Sequence, residues 1–216
     1  MGVGENRMND LDSACPIAMS KVSKVELRRT LLKRRLSLSK TEWRQKSDRI
    51  ASHLQASPLF AKSQTILAYF SFRQEPDLSS LFSDSHRRWG FPRCAGDTLS
   101  WHIWTSAEFH LWQRGAYGIL EPQPTVTTLE PDEVDLMLVP AIACDYRGYR
   151  LGYGGGYYDR LLSSALWASK PTIAIVFEFA YLQHLPIDSW DKPLQGVCTE
   201  TGLLTFGSNS ACNFEI

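Results

Sequence analysis

The chain predicts a three-layer α/β fold, a single domain built on a largely parallel central sheet. Three observations carry this expectation. Strand-like and helix-like segments alternate along the sequence, the pattern that lays helices against a sheet. The segment VDLMLVPAIAC (134–144) is almost continuously apolar, the mark of a central strand covered on both faces. The segment GYRLGYGGGYYDRLL (148–162) follows it, with five glycines in its first nine positions and then a charged, leucine-bearing run. A strand-to-helix turn of this kind is where ligands bind in open α/β sheets.

Each element has its own signal. The first twenty residues mix acidic, small and polar types without the apolar centre of a signal peptide. They are expected to be a flexible extension (1–20) to a domain spanning 21–216. Residues 22–38 read as a helix with Ser23 as N-cap. At about 100° per residue, Leu27, Leu31 and Leu38 form one apolar strip and Val25, Leu32 and Leu36 another. Lys24, Arg28 and Arg35 fall between the strips. Either their stems snorkel along a partly buried face, or they point at an anion on the protein body. Ser39-Lys40-Thr41-Glu42 reads as a capping box, with Trp43, Ile50 and Leu54 at helical spacing up to Pro58. TILAYFSF (65–72) reads as a strand. Glu75, Pro76 and Asp77 have the arrangement of a helix start. GFPRC and LSWHIW read as short strands within a region, 90–130, that could form a small β-rich subdomain. Residues 113–131, rich in Gly, Pro and Thr, read as a long loop. A helix near 157–168, a buried strand at PTIAIVFEF (171–179) and a last strand at LLTF complete the chain.

Composition narrows the function classes. With 216 residues, 44% hydrophobic and 21% charged, the chain is an ordinary globular one. Its formal net charge of zero offers no global field for nucleic acid or an anionic membrane. No apolar run approaches the ~18 residues of a membrane span. The five cysteines are scattered and form no CxxC pair, which fits reduced thiols in a cytoplasmic compartment. The five histidines show no metal-ligand spacing.

Glycine costs roughly 0.5–1 kcal/mol against alanine in regular structure, so the cluster suggests a backbone that bends sharply or approaches something closely. Its exposed N–H groups and the following helix N-terminus favour phosphate. A Walker loop is excluded because no lysine follows the glycines. A dinucleotide fingerprint fails at Tyr157, which stands where its third glycine belongs. A packing-only turn stays open. It leaves unexplained Arg150 and Asp159, which bracket the glycines like a cation for phosphate and an anion for Mg²⁺, a metal that takes one or two carboxylates plus phosphate oxygens.

VPAIACDYRGYRLGYGGGYYDRLL closely resembles the signature of the 5-formyltetrahydrofolate cyclo-ligase (5,10-methenyltetrahydrofolate synthetase) family. KVELRR, YFSFRQEPDL, FPR, GILEP and WDKPLQGVCTE resemble further family elements, in the family's order, from about residue 22 to 204. The resemblance implies an ATP- and Mg²⁺-dependent ligase of one-carbon metabolism that closes 5-formyltetrahydrofolate to the methenyl form. It implies ATP contacts at Lys24, Val25, Glu26, Leu27 and Arg28 and along Arg150, Leu151, Gly152, Tyr153, Gly154, Gly155, Gly156, Tyr157 and Tyr158. Phe70, Glu75 and the stretch Tyr153–Tyr157 would meet the folate, and Asp159 and Asp191 would hold Mg²⁺. Arg150 and Tyr157 are the expected catalytic residues. An alternative for Glu75 is a helix cap.

Two departures stand out. Some relatives carry a cation inside the loop, where this chain has Tyr153 and Gly155, and Gln195 stands where many have a second acid. Expected partners are small molecules only, with no nucleic acid or membrane, for a monomer. A non-catalytic nucleotide- or folate-binding relative is the alternative function. An RNA-binding reading of the basic helix is opposed by the zero net charge and the lack of an RNP-type motif.

Overall fold

The structure is a computed structural model that describes residues 23–105, 110–115 and 117–206; the expected extension over 1–20 lies outside the described residues. Three helices lead: α1 (Lys24–Leu36), α2 (Lys40–Ala56) and α3 (Pro58–Lys62). Then come β1 (Thr65–Leu67), β2 (Arg88–Ala95), β3 (Thr98–Trp104), β4 (Trp112–Arg114), β5 (Leu120–Pro122), β6 (Leu136–Pro140), β7 (Ala143–Asp145) and β8 (Arg150–Leu151). The chain continues through α4 (Tyr157–Ser163), α5 (Ala165–Ala168), β9 (Thr172–Ile175), β10 (Tyr181–Leu182), β11 (Gly196–Thr199) and β12 (Gly202–Thr205).

Seven strands form the central sheet in the order β12-β11-β9-β6-β1-β2-β3. The inner five are mutually parallel, and an antiparallel partner closes each edge. Alternation along the strands feeds two apolar layers. Leu67, Met137, Val139, Ala174 and Val197 pack with Leu31 of α1 and Leu161 and Leu162 of α4. Their neighbours Ile66, Leu136, Leu138, Ile173 and Cys198 pack with Ile50 and Leu54 of α2 and Phe60 of α3. The expected three layers are therefore present, because the inner strands carry buried apolar side chains on both faces.

The parallel strands follow the order 2-1-3-4-5, which reverses direction between β1 and β6. The carboxyl ends at such a reversal leave a crevice that neither flanking connection covers.

Several local expectations give way to tertiary competition. Residues 65–72 supply only the three residues of β1, and 68–72 leave the sheet to wall the crevice. No α-helix starts at Glu75; the segment holds a single 3₁₀ turn, Ser79–Leu81. There the Glu75 N–H bonds back to the Phe72 carbonyl, and the Trp43 indole donates to the Glu75 carbonyl. The 113–131 loop contains a two-stranded sheet of β4 and β5. The apolar run 134–144 is two strands: β6 in the main sheet, and β7 in a small sheet with β8 and β10. Strand β11, fully buried, was not expected. Both N-caps hold: Ser23 forms a complete capping box with Glu26, and Ser39 accepts from the Glu42 N–H. Among the described residues no helix is long and apolar enough to cross a membrane.

Candidate active site

A cavity of about 680 Å³ opens at the reversal, within the range of small-molecule sites. Tyr69 and Phe70, just past β1, and Pro140, the last residue of β6, form its floor. The glycine loop crosses one side. It follows the β7–β8 hairpin and not the central strand directly, so its position depends on that small sheet.

All of Arg150 to Asp159 line the cavity, as do Lys24, Arg28, Phe70, Glu75 and Asp191. Val25, Glu26 and Leu27 do not. Val25 is 70% exposed, Glu26 is spent on the capping box, and Leu27 packs against the core. One turn of helix therefore divides between solvent, cap, core and cavity.

The loop's backbone needs glycine at two points. Gly154 has φ +106°, and Gly156, the N-cap of α4, has φ +68°; L side chains rarely adopt either. Cations surround the loop from outside. Arg28 Nε donates to the Gly152 carbonyl at 2.8 Å, and Arg160 Nη2 to the Gly155 carbonyl at 2.8 Å. Arg160 had escaped the sequence reading, although it lies four residues past Gly156 on the following helix.

The bracket of Arg150 and Asp159 closes on itself. Arg150 Nη2 and Asp159 Oδ1 are 3.0 Å apart, and Arg150 also donates to the Lys192 carbonyl at 3.1 Å. Lys24 Nζ meets Asp188 at 2.6 Å and Asp191 at 2.5 Å. Burial works to lower the Lys24 pKa, but the two carboxylates outweigh it and hold the ammonium above its ordinary value. The second reading of the α1 cations, toward anions on the protein body, is thus realised for Lys24 and for Arg35, whose Nη2 lies 4.0 Å from Glu75, whereas Arg28 meets a carbonyl.

The same geometry bears on Mg²⁺. Asp159 and Asp191 face one cavity, each already beside a cation. Among the described residues no three metal-ligating side chains converge. Such a donor set fits a Mg²⁺ that shares its coordination with phosphate oxygens, not one caged by protein alone.

Glu75 is 3% exposed. Burial pushes its carboxyl up to about 7, against opposing contributions from Arg35, the Phe72 N–H at 3.1 Å and the Tyr153 hydroxyl. A folded-state pKa above the unfolded 4.5 means that the folded chain binds more protons between those values, so stability falls as pH rises across that window. At about 1.4 kcal/mol per pH unit, the fall is on the order of 3 kcal/mol. Glu75→Gln is expected to remove this component: urea unfolding of the ligand-free protein from pH 4.5 to 7.5 should be flatter than in the parent, and identical slopes would refute it.

The Tyr157 hydroxyl lies 3.3 Å from both the Gly96 carbonyl and the Tyr117 hydroxyl. That tyrosine pair, followed by burial, raises its pKa and keeps it a donor. Among the described residues no thiol is poised for attack. Burial pushes Cys94 up to about 11 and the core residue Cys144 up to about 12. Gln195 lies outside the cavity and binds Thr172 at the start of β9 through both its side chain and its backbone. Asp188, Trp190, Tyr117 and Glu121 also line the site without a signal of their own in the sequence.

Comparison with known proteins finds relatives of the whole described fold. The model of the 5-formyltetrahydrofolate cyclo-ligase family matches residues 20–200. A 5-formyltetrahydrofolate cyclo-ligase from Mycolicibacterium smegmatis is 30% identical over 84% of this chain and 95% of its own length. One from Haemophilus influenzae is 36% identical over a shorter stretch, 38% of this chain and 44% of that protein. The solved structure of 5,10-methenyltetrahydrofolate synthetase from Aquifex aeolicus superimposes with a TM-score of 0.76 at 32% identity, covering 88% of this chain and 96% of that one.

Proposed function

Because this chain belongs to the 5-formyltetrahydrofolate cyclo-ligase family, we propose that it converts 5-formyltetrahydrofolate to 5,10-methenyltetrahydrofolate while cleaving ATP to ADP and phosphate. The observation that carries this reading is one cavity shared by a glycine loop open to phosphate and a buried carboxylate suited to a pterin.

Ring closure requires N10 to attack the formyl carbon and the formyl oxygen to depart. Hydroxide leaves poorly, phosphate well. The γ-phosphoryl group passes from ATP to the formyl oxygen, N10 adds to the activated carbon, and loss of the N10 proton and of phosphate leaves the methenyl C–N double bond. Phosphoryl transfer demands positioning and charge neutralisation more than a protein nucleophile, in keeping with thiols held protonated. The loop N–H groups of 152–156 cradle the phosphates, with Lys24, Arg28 and Arg150 supplying charge. Glu75 accepts hydrogen bonds from the pterin's amino and ring N–H groups, beside Phe70 and Tyr153. Tyr157 donates a hydrogen bond in the site. Asp159 and Asp191 would hold Mg²⁺, which supplies further neutralisation of phosphate charge.

The test is the rise of the methenyl absorbance band on mixing purified protein, 5-formyltetrahydrofolate, ATP and Mg²⁺. Binding of both substrates with no rise would favour a non-catalytic role. We further propose a cytoplasmic monomer whose working domain begins near residue 21. The start of the family match at residue 20 supports that boundary. Removing residues 1–19 should leave turnover and melting temperature near those of the full chain; a large loss of either would show that the segment belongs to the fold.

A further inference from the structure

Arg35, which opposes the rise of the Glu75 pKa, does not line the cavity, yet it is the most deeply buried cation of α1, with its side chain 4% exposed. Its guanidinium fork reaches four separate pieces of backbone and side chain. Nε donates to the Arg73 carbonyl at 3.0 Å and Nη1 to the Ala141 carbonyl at 3.3 Å, just beyond β6. Nη2 donates to the Tyr153 hydroxyl in the glycine loop and lies 4.0 Å from Glu75 Oε1. The Tyr153 hydroxyl in turn faces the Glu75 carboxylate and works to lower its pKa.

The turn that Arg35 holds is strained. Arg73 and Gln74 are consecutive non-glycine residues with φ +48° and +55°, immediately before Glu75. Such residues persist only where their surroundings over-determine them, and they cluster at ligand clamps. Arg35 supplies that determination by binding the Arg73 carbonyl while facing the carboxylate that the turn delivers.

We infer that Arg35 is a positioning residue that holds the folate-binding acid Glu75 and the phosphate-loop tyrosine Tyr153 as one unit, setting both substrate subsites through a single guanidinium. This rests on the cyclo-ligase reading of the cavity. The charged and titratable groups facing Glu75 are Arg35 from α1, Tyr153 from the glycine loop, Tyr158 from α4 and Tyr69 after β1. Arg35 is the one cation among them, so its removal raises the Glu75 pKa.

Arg35→Met, Arg35→Lys and each of these combined with Glu75→Gln test the assignment. In Arg35→Met the KM for 5-formyltetrahydrofolate should rise about fivefold or more, as expected from loss of a charge-assisted contact. The acid limb of kcat/KM for the folate should move up by about one pH unit, because Glu75 loses its opposite charge. Arg35→Lys keeps the charge but not the fork, so it should raise KM while leaving the limb in place. On the Glu75→Gln background, Arg35→Met should leave no acid limb to move and should raise KM by less than it does in the parent, since the charge contact to Glu75 is already gone while those to Arg73, Ala141 and Tyr153 are still broken. Unchanged KM and unchanged pH limb per folded molecule would make Arg35 a purely structural residue and overturn the inference. If Arg35→Met does not fold, an unchanged KM in Arg35→Lys overturns it equally. If the parent protein forms no methenyl product, the cyclo-ligase reading fails. The Arg35–Glu75 link is then judged by unfolding alone: the pH-dependent loss of stability should extend to higher pH in Arg35→Met, and an unmoved profile would refute it.

Discussion

Replacing Gly154 by valine should lower ATP-dependent methenyl formation by more than about 100-fold, as expected if two charge-assisted N–H contacts to phosphate are lost at roughly 1.5–3 kcal/mol each. Gly154 has φ +106°, where a β-branched residue is a severe outlier. The local space is open: a Cβ there would meet nothing closer than the Arg28 guanidinium at 3.8 Å. Packing is therefore not what excludes a side chain. The stability cost should be limited to backbone strain of about 1–3 kcal/mol, while the loop amides are turned away from the ligand. Gly152→Ala is the control. A methyl group at Gly152 meets nothing within 4 Å and no left-handed φ is involved, so the fold should be untouched and any loss of ATP affinity reports closeness to phosphate. Melting temperature and specific activity on the same samples separate the two effects. Full activity per folded Gly154→Val molecule would mean that the glycines serve the turn and not the phosphate.

Arg150→Ala should reduce turnover by about 10- to 100-fold, the equivalent of one charge-assisted contact to phosphate. The structure adds a second consequence. Arg150 is 4% exposed and paired with Asp159, which is 24% exposed and faces the cavity. Removing the cation leaves that carboxylate without its partner, so some stability is lost as well. Asp159→Asn in the same background should restore the stability but not the turnover, because it relieves the stranded charge without replacing the phosphate contact. Turnover and ATP affinity both equal to the parent would remove Arg150 from the reaction.

The elements with a local cause were legible before any coordinates. Ser23 and Ser39 cap their helices because a capping bond spans three residues. The buried strands β6 and β9 announce themselves because both of their faces are covered and so carry mostly apolar side chains. The glycine loop is visible because positive φ at Gly154 and Gly156 limits the side chains that fit. Where local preference met a competitor from elsewhere in the chain, the reading slipped. Glu75-Pro76-Asp77 resembles a helix start, but the Trp43 indole takes the Glu75 carbonyl and the Phe72 N–H takes its carboxylate. The strand expected over 65–72 stops at Leu67, since after Ala68, which still bonds to the Gly90 carbonyl, the chain turns to put Tyr69, Phe70 and Phe72 on the cavity wall.

By itself, the amino-acid sequence determined the α/β class, the two-sided burial of the sheet and the place of the glycine loop, together with the family whose motifs it carries. Tertiary structure alone decided the pairings. Lys24 meets Asp188 and Asp191 from 164 and 167 residues away, Arg35 reaches Tyr153 across 118, and Arg28 binds Gly152 across 124. Helical spacing could say that these cations share a flank of α1, but not which partner each would find. Periodicity and capping act between near neighbours in the chain and so leave a mark in its order. Electrostatic attraction and hydrogen bonding depend on separation in space, which exists only once strand order has brought the ends of β1 and β6 beneath α1 and the loop.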